Sequence, residues 1–407
     1  MADVCRLCAG EVETFIDFGR MPIANGFLTE EEFSGEWFFN LRAGFCHQCQ
    51  MVQLTELVDP ARMFHDRYAF FSSTSSAMAE HFRRFAASVR ERVGAAHDPL
   101  VVEIGSNDGI LLRHFAEAGW RHVGVEPSGN VAAVARDRGI ETVCAFFDAQ
   151  LAARIVEERG KADAILGANV MCHIPDLHSV LEGVRLLLKP GGFLQFEDPY
   201  LGDIIEKTAY DQIYDEHAYY FSASSVARLA RSHGLELVDV ERQPVHGGSM
   251  RYTLCRAGEH PKSARADMLV HEEEQLGLHR PETFVRFRRS VEQSRDRLMQ
   301  MLDEMAARGD RVVGYGATSK STTVTNYCGI GPHHIEFISD TTPIKQGKFS
   351  PGAHIPVRPY EEFRARYPDY GLLFAWNHAR EIMTKERDFR ASGGRWIVYV
   401  PRTEVLS

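Results

Sequence analysis

Leu100-Val-Val-Glu-Ile-Gly-Ser-Asn-Asp-Gly-Ile-Leu-Leu112 is the stretch whose reading decides the fold. The apolar run 100–102 has the length and composition of a buried strand. Glu103 follows, then the glycines Gly105 and Gly109, then the apolar-periodic residues 110–115, which read as a helix. A strand running through a glycine turn into a helix lets backbone approach a ligand closely, because glycine has no side chain in the way. The spacing is Gly-x-x-x-Gly, which differs from the Gly-x-Gly-x-x-Gly of dinucleotide sites.

Beyond this stretch, strands and helices alternate as a doubly wound α/β sheet requires. His122-Val-Gly-Val-Glu126 is the second strand, and its terminal acid lies about twenty residues past the turn, where a carboxylate meets ribose hydroxyls. Thr142-Val-Cys-Ala-Phe-Phe-Asp148 is expected as the third strand, with Phe147 and Asp148 set for an adenine ring and its amino group. Ala162-Asp-Ala-Ile-Leu-Gly-Ala-Asn169 is the fourth, followed by the loop Met171-Cys-His-Ile-Pro-Asp176 at the ligand-binding edge. Leu186-Leu-Leu-Lys-Pro-Gly-Gly-Phe-Leu-Gln-Phe-Glu197 continues the pattern. Tyr210-Asp-Gln-Ile-Tyr-Asp-Glu-His-Ala-Tyr-Tyr-Phe221 packs tyrosines, acids and one histidine at a density suited to a pocket wall. Val245-His-Gly-Gly-Ser-Met-Arg251 and a strand at 252–255 close the unit.

A second strand–glycine–helix unit begins at Arg311-Val-Val-Gly-Tyr-Gly-Ala-Thr-Ser-Lys320. A helix amino end with a lysine favours an anion. Position 319 is serine where a dinucleotide fingerprint has its third glycine, so a phosphate or nucleotide-sugar contact fits better than NAD. Further strands are expected at 334–340, 371–377 and 396–400.

Two Cys-x-x-Cys pairs, Cys5/Cys8 and Cys46/Cys49, lie at the other end of the chain. Each pair offers two thiolates from one tight turn, which suits tetrahedral structural zinc. A closed four-cysteine site has no open position for chemistry. Residues 60–98 read as mostly helical, interrupted by Arg67-Tyr-Ala-Phe-Phe-Ser-Ser-Thr-Ser-Ser76. That loop is expected either to face a polar ligand or to cap a helix through Ser75 or Ser76.

At 407 residues more than one domain is expected, and 44% hydrophobic with 25% charged residues is a soluble globular composition. A formal charge of −10 argues against a general nucleic-acid binder. No apolar run approaches a membrane span, and no signal segment is read at the start, so a cytoplasmic location with reduced thiols is expected. The eight cysteines are therefore read as ligands, core residues or nucleophiles rather than as disulfides. Expected units are a zinc module (1–60), a doubly wound α/β domain (61–260), a helical connector packed on the sheet (261–308) and a smaller Rossmann-like domain (309–407). A monomer without nucleic-acid or membrane partners is expected.

The acid before Gly-x-x-x-Gly and the Lys-Pro-Gly-Gly turn resemble class I S-adenosylmethionine (SAM) methyltransferases. With the Tyr214-Asp-Glu-His217 string, the Cys172-His173-Ile-Pro loop, the Arg67-Tyr68 loop and Gly314-Tyr-Gly-Ala-Thr-Ser-Lys320, nearly the whole chain resembles the SAM-dependent sugar C-methyltransferases of deoxysugar biosynthesis, notably the C-3′-methyltransferases acting on TDP-linked 4-keto sugars. The resemblance implies a zinc module held by Cys5, Cys8, Cys46 and Cys49, a histidine base at His217, and a pocket lined by Tyr68, His173, Tyr214 and Glu216. Expected SAM contacts are Glu103, Gly105, Asn107, Asp108, Gly109, Glu126, Pro127, Phe147, Asp148 and Asn169. Expected contacts to the nucleotide-linked sugar are Tyr220, Arg251, Ser319, Lys320 and Asn377. The competing readings are an O- or N-methyltransferase, a nucleotide-sugar ketoreductase using the carboxyl-terminal unit, and a zinc-dependent interaction protein without enzymatic activity.

Overall fold

A computed structural model describes residues 3–65, 68, 71–72 and 76–406. Arg67, residues 73–75 and the expected cap Ser75 lie outside the described residues. Four antiparallel strands open the chain: β1 (Asp3–Val4), β2 (Glu11–Pro22), β3 (Phe38–Cys46) and β4 (Val52–Leu54). Register breaks between Thr14 and Ile16 and between Asp17 and Arg20 bend the long β2–β3 ribbon. Its cysteine end and its far end, Ile23–Phe27, thereby serve different neighbours.

The central sheet contains β5 (Leu100–Ile104), β6 (Arg121–Val125), β7 (Thr142–Val143), β8 (Ala162–Ala168) and β9 (Leu188–Pro199). After β10 (Tyr219–Tyr220), which belongs elsewhere, β11 (Leu235–Gln243) and β12 (Ser249–Arg256) complete it. The order is β11-β12-β9-β8-β5-β6-β7, with β5 to β9 parallel and β11 and β12 antiparallel. All five residues of β5 are buried, as a central parallel strand covered on both faces must be. The order reverses between β5 and β8, so the ligand crevice falls beyond their carboxyl ends.

Two expectations need correction. The third strand is only two residues long, because Asp148 caps the helix Ala149–Arg159 through Leu151 N at 2.7 Å and turns the chain early. The helix after the first glycine turn is the short Arg113–Ala116 and begins past Ile110.

The tyrosine-rich stretch crosses a domain boundary. β10 pairs with β4 and adds a fifth strand to the amino-terminal sheet. The carboxyl-terminal unit carries β13 (Val312–Tyr315), β14 (Ile338–Asp340), β15 (Val357–Pro359), β16 (Tyr370–Leu373), β17 (Arg395–Val398) and β18 (Glu404–Leu406). Their order is β15-β14-β13-β16-β17-β18, parallel except for β18.

Of the two connector helices, Ala264–Leu276 packs on β11 as expected. Pro281–Arg308, started by Pro281 at its first turn, packs differently. Phe284 lies 4.9 Å from Phe15 and 4.7 Å from Phe45, ring centre to ring centre, while Leu298, Leu302 and Met305 join a core with Val312 and Ile338. One helix thus fastens the amino-terminal sheet to the carboxyl-terminal domain. Burying Phe284 alone contributes about 1.5–3 kcal/mol. Among the described residues no helix is long and apolar enough to cross a membrane.

Candidate active site

The carboxyl ends of the two parallel sheets face each other across one cavity of about 850 Å3, near the top of the roughly 300–1,000 Å3 usual for small-molecule sites. The amino-terminal module closes one side with Asn25. The cavity is therefore roomy enough for two ligands, one on each glycine turn.

At the first turn Gly105 has φ +65°, a left-handed conformation that favours glycine. A Cβ there would lie 2.8 Å from Val170 Cβ and closer still to its Cγ2, so the cradle tolerates no side chain. Glu126 Oε2 accepts from Asn107 N at 3.1 Å and Oε1 from Ser128 N at 2.8 Å. Each oxygen keeps a lone pair for a ribose hydroxyl. Gly105, Asn107, Glu126, Pro127, Phe147 and Asn169 line this end, and the buried Asn169 Oδ1 has no protein partner. An adenosyl group with its diol fits these acceptors and the apolar slot formed with Val125, Ala145 and Phe146.

The remaining expected cofactor residues stand behind the wall. Glu103 is buried, and desolvation, then the charges of Asp108 and Glu126, push its pKa well up. Asp108 pairs with Arg138 at 3.0 Å, Gly109 packs against Ile140, and Asp148 is spent on its helix cap. Phe146, half exposed on the cavity rim, carries no sequence signal because its twin Phe147 fills the same motif.

The polar centre is built by two loops. Tyr214 and Glu216 line the cavity with His173, and His217 stands directly behind them. The His217 ring lies 4.1 Å from that of Tyr214 and 5.2 Å from that of His173. Its Nδ1–H donates to Gln212 O at 2.8 Å, which fixes the tautomer and leaves the buried Nε2 lone pair without a partner. Burial holds His217 well below the usual histidine range, with the neighbouring His173 adding to the effect, and pulls His173 down to about 4. Both are therefore neutral at pH 7. Glu216 accepts from Asn25 Nδ2 at 2.6 Å through Oε1 and from the Tyr68 hydroxyl at 3.4 Å through Oε2. Burial raises its pKa, while those two donors and Lys345 oppose the rise. Behind this group Asp198 is buried, and burial lifts its carboxyl to about 8 while contacts from Cys172 oppose the rise.

At the opposite end Gly316, with φ +91°, turns the chain into the helix Ser319–Cys328. Ser319, Lys320 and Asn377 line the wall there. Lys320 Nζ donates to Asn377 Oδ1 at 3.3 Å and sits 5.0 Å from the centre of the Trp376 ring. Burial lowers it to about 8, with Asp211 opposing. Lys345, half-buried, donates to Ala317 O at 2.8 Å beside the same turn. Lys345 and Tyr360 line this end and gave no sequence signal, since their only tie to the motif is spatial, and Tyr315, within the motif, lines it as well. Asp340, placed like Glu126, accepts from Ala317 N at 2.7 Å and from Thr342 N at 2.7 Å.

Two expected substrate residues are not brought to the wall. Arg251 is buried in an ion pair with Glu197 at 2.9 Å and lies 3.9 Å from the centre of the Phe85 ring. Tyr220 belongs to β10, with its buried hydroxyl unpartnered behind His217.

The sulfurs of Cys5, Cys8, Cys46 and Cys49 all lie within 4.8 Å of one another, with Cys5–Cys49 at 3.5 Å and Cys8–Cys46 at 3.4 Å. A tetrahedral ion at a Zn–S length of about 2.3 Å sets sulfurs about 3.8 Å apart, so the cage fits zinc. Four thiols packed this closely cannot all keep their protons without crowding. A divalent cation removes that conflict by deprotonating all four. None of the four cysteines lines the cavity.

Three family models match in sequence along the chain. A zinc binding domain matches residues 5–64, a methyltransferase domain 78–240, and a C-methyltransferase C-terminal domain 244–401. The C-methyltransferase NovU of Streptomyces niveus is 38% identical over 409 aligned positions, covering 100% of this chain and 97% of NovU. The ubiquinone biosynthesis O-methyltransferase of Cupriavidus pinatubonensis is 27% identical over 168 residues, 38% of this chain and 68% of that enzyme. Among solved structures, the magnesium protoporphyrin IX methyltransferase of Synechocystis with bound SAM covers 44% of this chain and 82% of its own, at 14% identity and TM-score 0.32. The glycopeptide N-methyltransferase MtfA complexed with SAM covers 44% and 93%, at 16% identity and TM-score 0.34.

Proposed function

The chain belongs to the SAM-dependent C-methyltransferases, and we propose that its substrate is a nucleotide-linked 4-keto-deoxysugar, TDP-linked by the family pattern, methylated on the carbon next to the ketone, C-3′. The observation that carries the reading is the single cavity joining the two glycine turns, with neutral histidines between them. Glu126, Asn169 and the Gly105 cradle hold SAM, and bound SAM supplies an electrophilic methyl group. Ser319, Lys320 and Asn377 hold the diphosphate at the far end, which places the sugar beside His173, Tyr214 and Glu216. Cys5, Cys8, Cys46 and Cys49 hold structural zinc.

Carbon attacks a methyl sulfonium only after losing a proton, and a C–H beside a ketone can lose one because the charge spreads onto oxygen. His217, its tautomer fixed by Gln212 O, takes that proton through Nε2. Tyr68 and Tyr214, whose pKa values burial holds well above 10, stay protonated; Tyr214 donates to the enolate oxygen, while Tyr68 keeps its one proton on Glu216. Glu216, beside His217 in the chain and at the wall, stabilises the imidazolium that forms.

His173 reaches the wall while His217 stands behind it, and this favours a second reading with His173 as the base. Exchange of the sugar C–H with D2O, with S-adenosylhomocysteine in place of SAM, isolates the proton step. His217→Asn is expected to slow exchange and methylation by about 10²–10⁴-fold, the usual worth of a general base. Near wild-type exchange in His217→Asn together with its loss in His173→Asn transfers the role to His173. Exchange surviving both substitutions overturns histidine catalysis.

A further inference from the structure

We propose that the amino-terminal zinc module is part of the catalytic machinery: its loop at 23–27 delivers Asn25 as a positioning residue that holds Glu216 in place and ties it to the nucleotide-binding helix. The inference rests on the reading of Glu216 given above and extends it to a residue and a module outside that reading.

Asn25 is reached only through three dimensions, since it is 191 positions from Glu216 and 294 from Ser319. Its two amide protons are both used, one to Glu216 Oε1 at 2.6 Å and one to Ser319 Oγ at 2.8 Å. A carboxylate can only accept, so the amide nitrogen must face Glu216. Asn25 therefore bridges the carboxylate beside the candidate base and the first residue of the helix Ser319–Cys328, and it lies on the cavity wall between them.

The loop is fixed on both sides of that residue. Ala24 N donates to Asp215 Oδ1 at 3.1 Å, and the Thr322 hydroxyl donates to Ala24 O at 2.9 Å. Leu28 pairs with Phe349 through Leu28 N to Phe349 O at 3.3 Å and Phe349 N to Leu28 O at 2.9 Å. Partners from the central domain and from the carboxyl-terminal domain thus grip Ala24, Asn25 and Leu28. A side chain so held is preorganised, and little entropy remains to be lost when it orients the carboxylate. The zinc cage sits at the opposite end of the same ribbon, where Val12 pairs with Cys46, while Pro22 pairs with Phe38 next to the loop. Metal at one end keeps the ribbon folded, and the other end reaches the reaction centre.

The facing charges agree with this role. Glu216 is confronted by Asn25, Tyr68, Lys345 and its neighbour Asp215. Asn25 and Tyr68 donate one to each carboxylate oxygen and so favour the ionised form, which accepts on both more strongly. Removing Asn25 therefore favours the protonated carboxyl and moves the acid limb of kcat/KM upward in pH.

The test uses the full-length zinc-loaded protein, SAM and TDP-4-keto-6-deoxyglucose, with Glu216→Gln as reference. Asn25→Ala is expected to lower kcat at least tenfold, to raise the acid-limb inflection, and to leave zinc content and SAM affinity within twofold of wild type. Asn25→Asp keeps the shape and sets a second carboxylate against Glu216, so it is expected to raise the inflection further. It carries the test if the alanine variant folds poorly. If Glu216→Gln slows turnover but both Asn25 variants keep the wild-type rate and inflection, this proposal falls and the active-site reading stands. A fall in kcat with an unmoved inflection reduces Asn25 to a structural part and also overturns the proposal. Unaltered turnover in Glu216→Gln overturns both.

Discussion

Gly105→Ala is the most direct mechanical test of the first ligand cradle. The native φ of +65° is left-handed, and a Cβ there costs roughly 1–2 kcal/mol. The added carbon would also sit 2.8 Å from Val170 Cβ, with Val170 Cγ2 nearer, and overpacking of this kind costs about 1–3 kcal/mol. The sum is about 2–5 kcal/mol. Val170 leads into the turn Met171–His173, so the displaced side chain pushes on the polar centre as well as on the glycine cradle. In differential scanning calorimetry the methyltransferase domain should melt lower by about 2–4 °C for each kcal/mol. By isothermal titration SAM should bind at least tenfold more weakly, tenfold being 1.4 kcal/mol. Adding Val170→Ala should relieve the collision and leave the backbone term, so a double-mutant cycle should return a favourable coupling of about 1 kcal/mol or more. A Gly105→Ala protein that melts within 1 °C of wild type and binds SAM within about twofold would refute the reasoning.

The far end of the cavity and the zinc cage give two further tests. Lys320 is held near 8, so its charge is present below that pH and lost as pH rises through it. TDP binding to the free enzyme should weaken through about pH 8, and Lys320→Met should abolish that dependence and cost about 1.5–3 kcal/mol, or roughly 10- to 150-fold in Kd; a pH-independent wild-type Kd counts against the assignment. One zinc per chain is expected by elemental analysis, and Cys46→Ser should lose the metal and lower the melting temperature of the amino-terminal module. Full zinc retention in that variant would contradict the four-cysteine cage.

The doubly wound order was legible from 100–112 onward, because buried parallel strands are nearly continuous apolar runs and each glycine turn marks a strand end. The third strand was overread: Phe146 and Phe147 have strand propensity, but the Asp148 cap ends the strand after Val143. Of the site, Glu126, Ser319 and Lys320 could be read locally because each belongs to a strand–turn–helix motif. Asn25 could not, since an Ala-Asn-Gly turn carries no information about a carboxylate 191 residues away. Arg251 stands where a charged residue after a glycine turn suggests an anion, yet its partner is the buried Glu197, supplied by the adjacent strand β9. Such pairings depend on sheet order, which a linear reading gives only once the fold is built.

One product analysis bears on the central claim most directly. The enzyme is incubated with SAM labelled with carbon-13 in the methyl group and with TDP-4-keto-6-deoxyglucose, and the sugar is examined by carbon–carbon NMR coupling. The account predicts a labelled methyl bonded to the carbon beside the ketone, at C-3′, with loss of that carbon's proton. A label bonded to oxygen or nitrogen, or a sugar recovered unlabelled while SAM is bound, would contradict it.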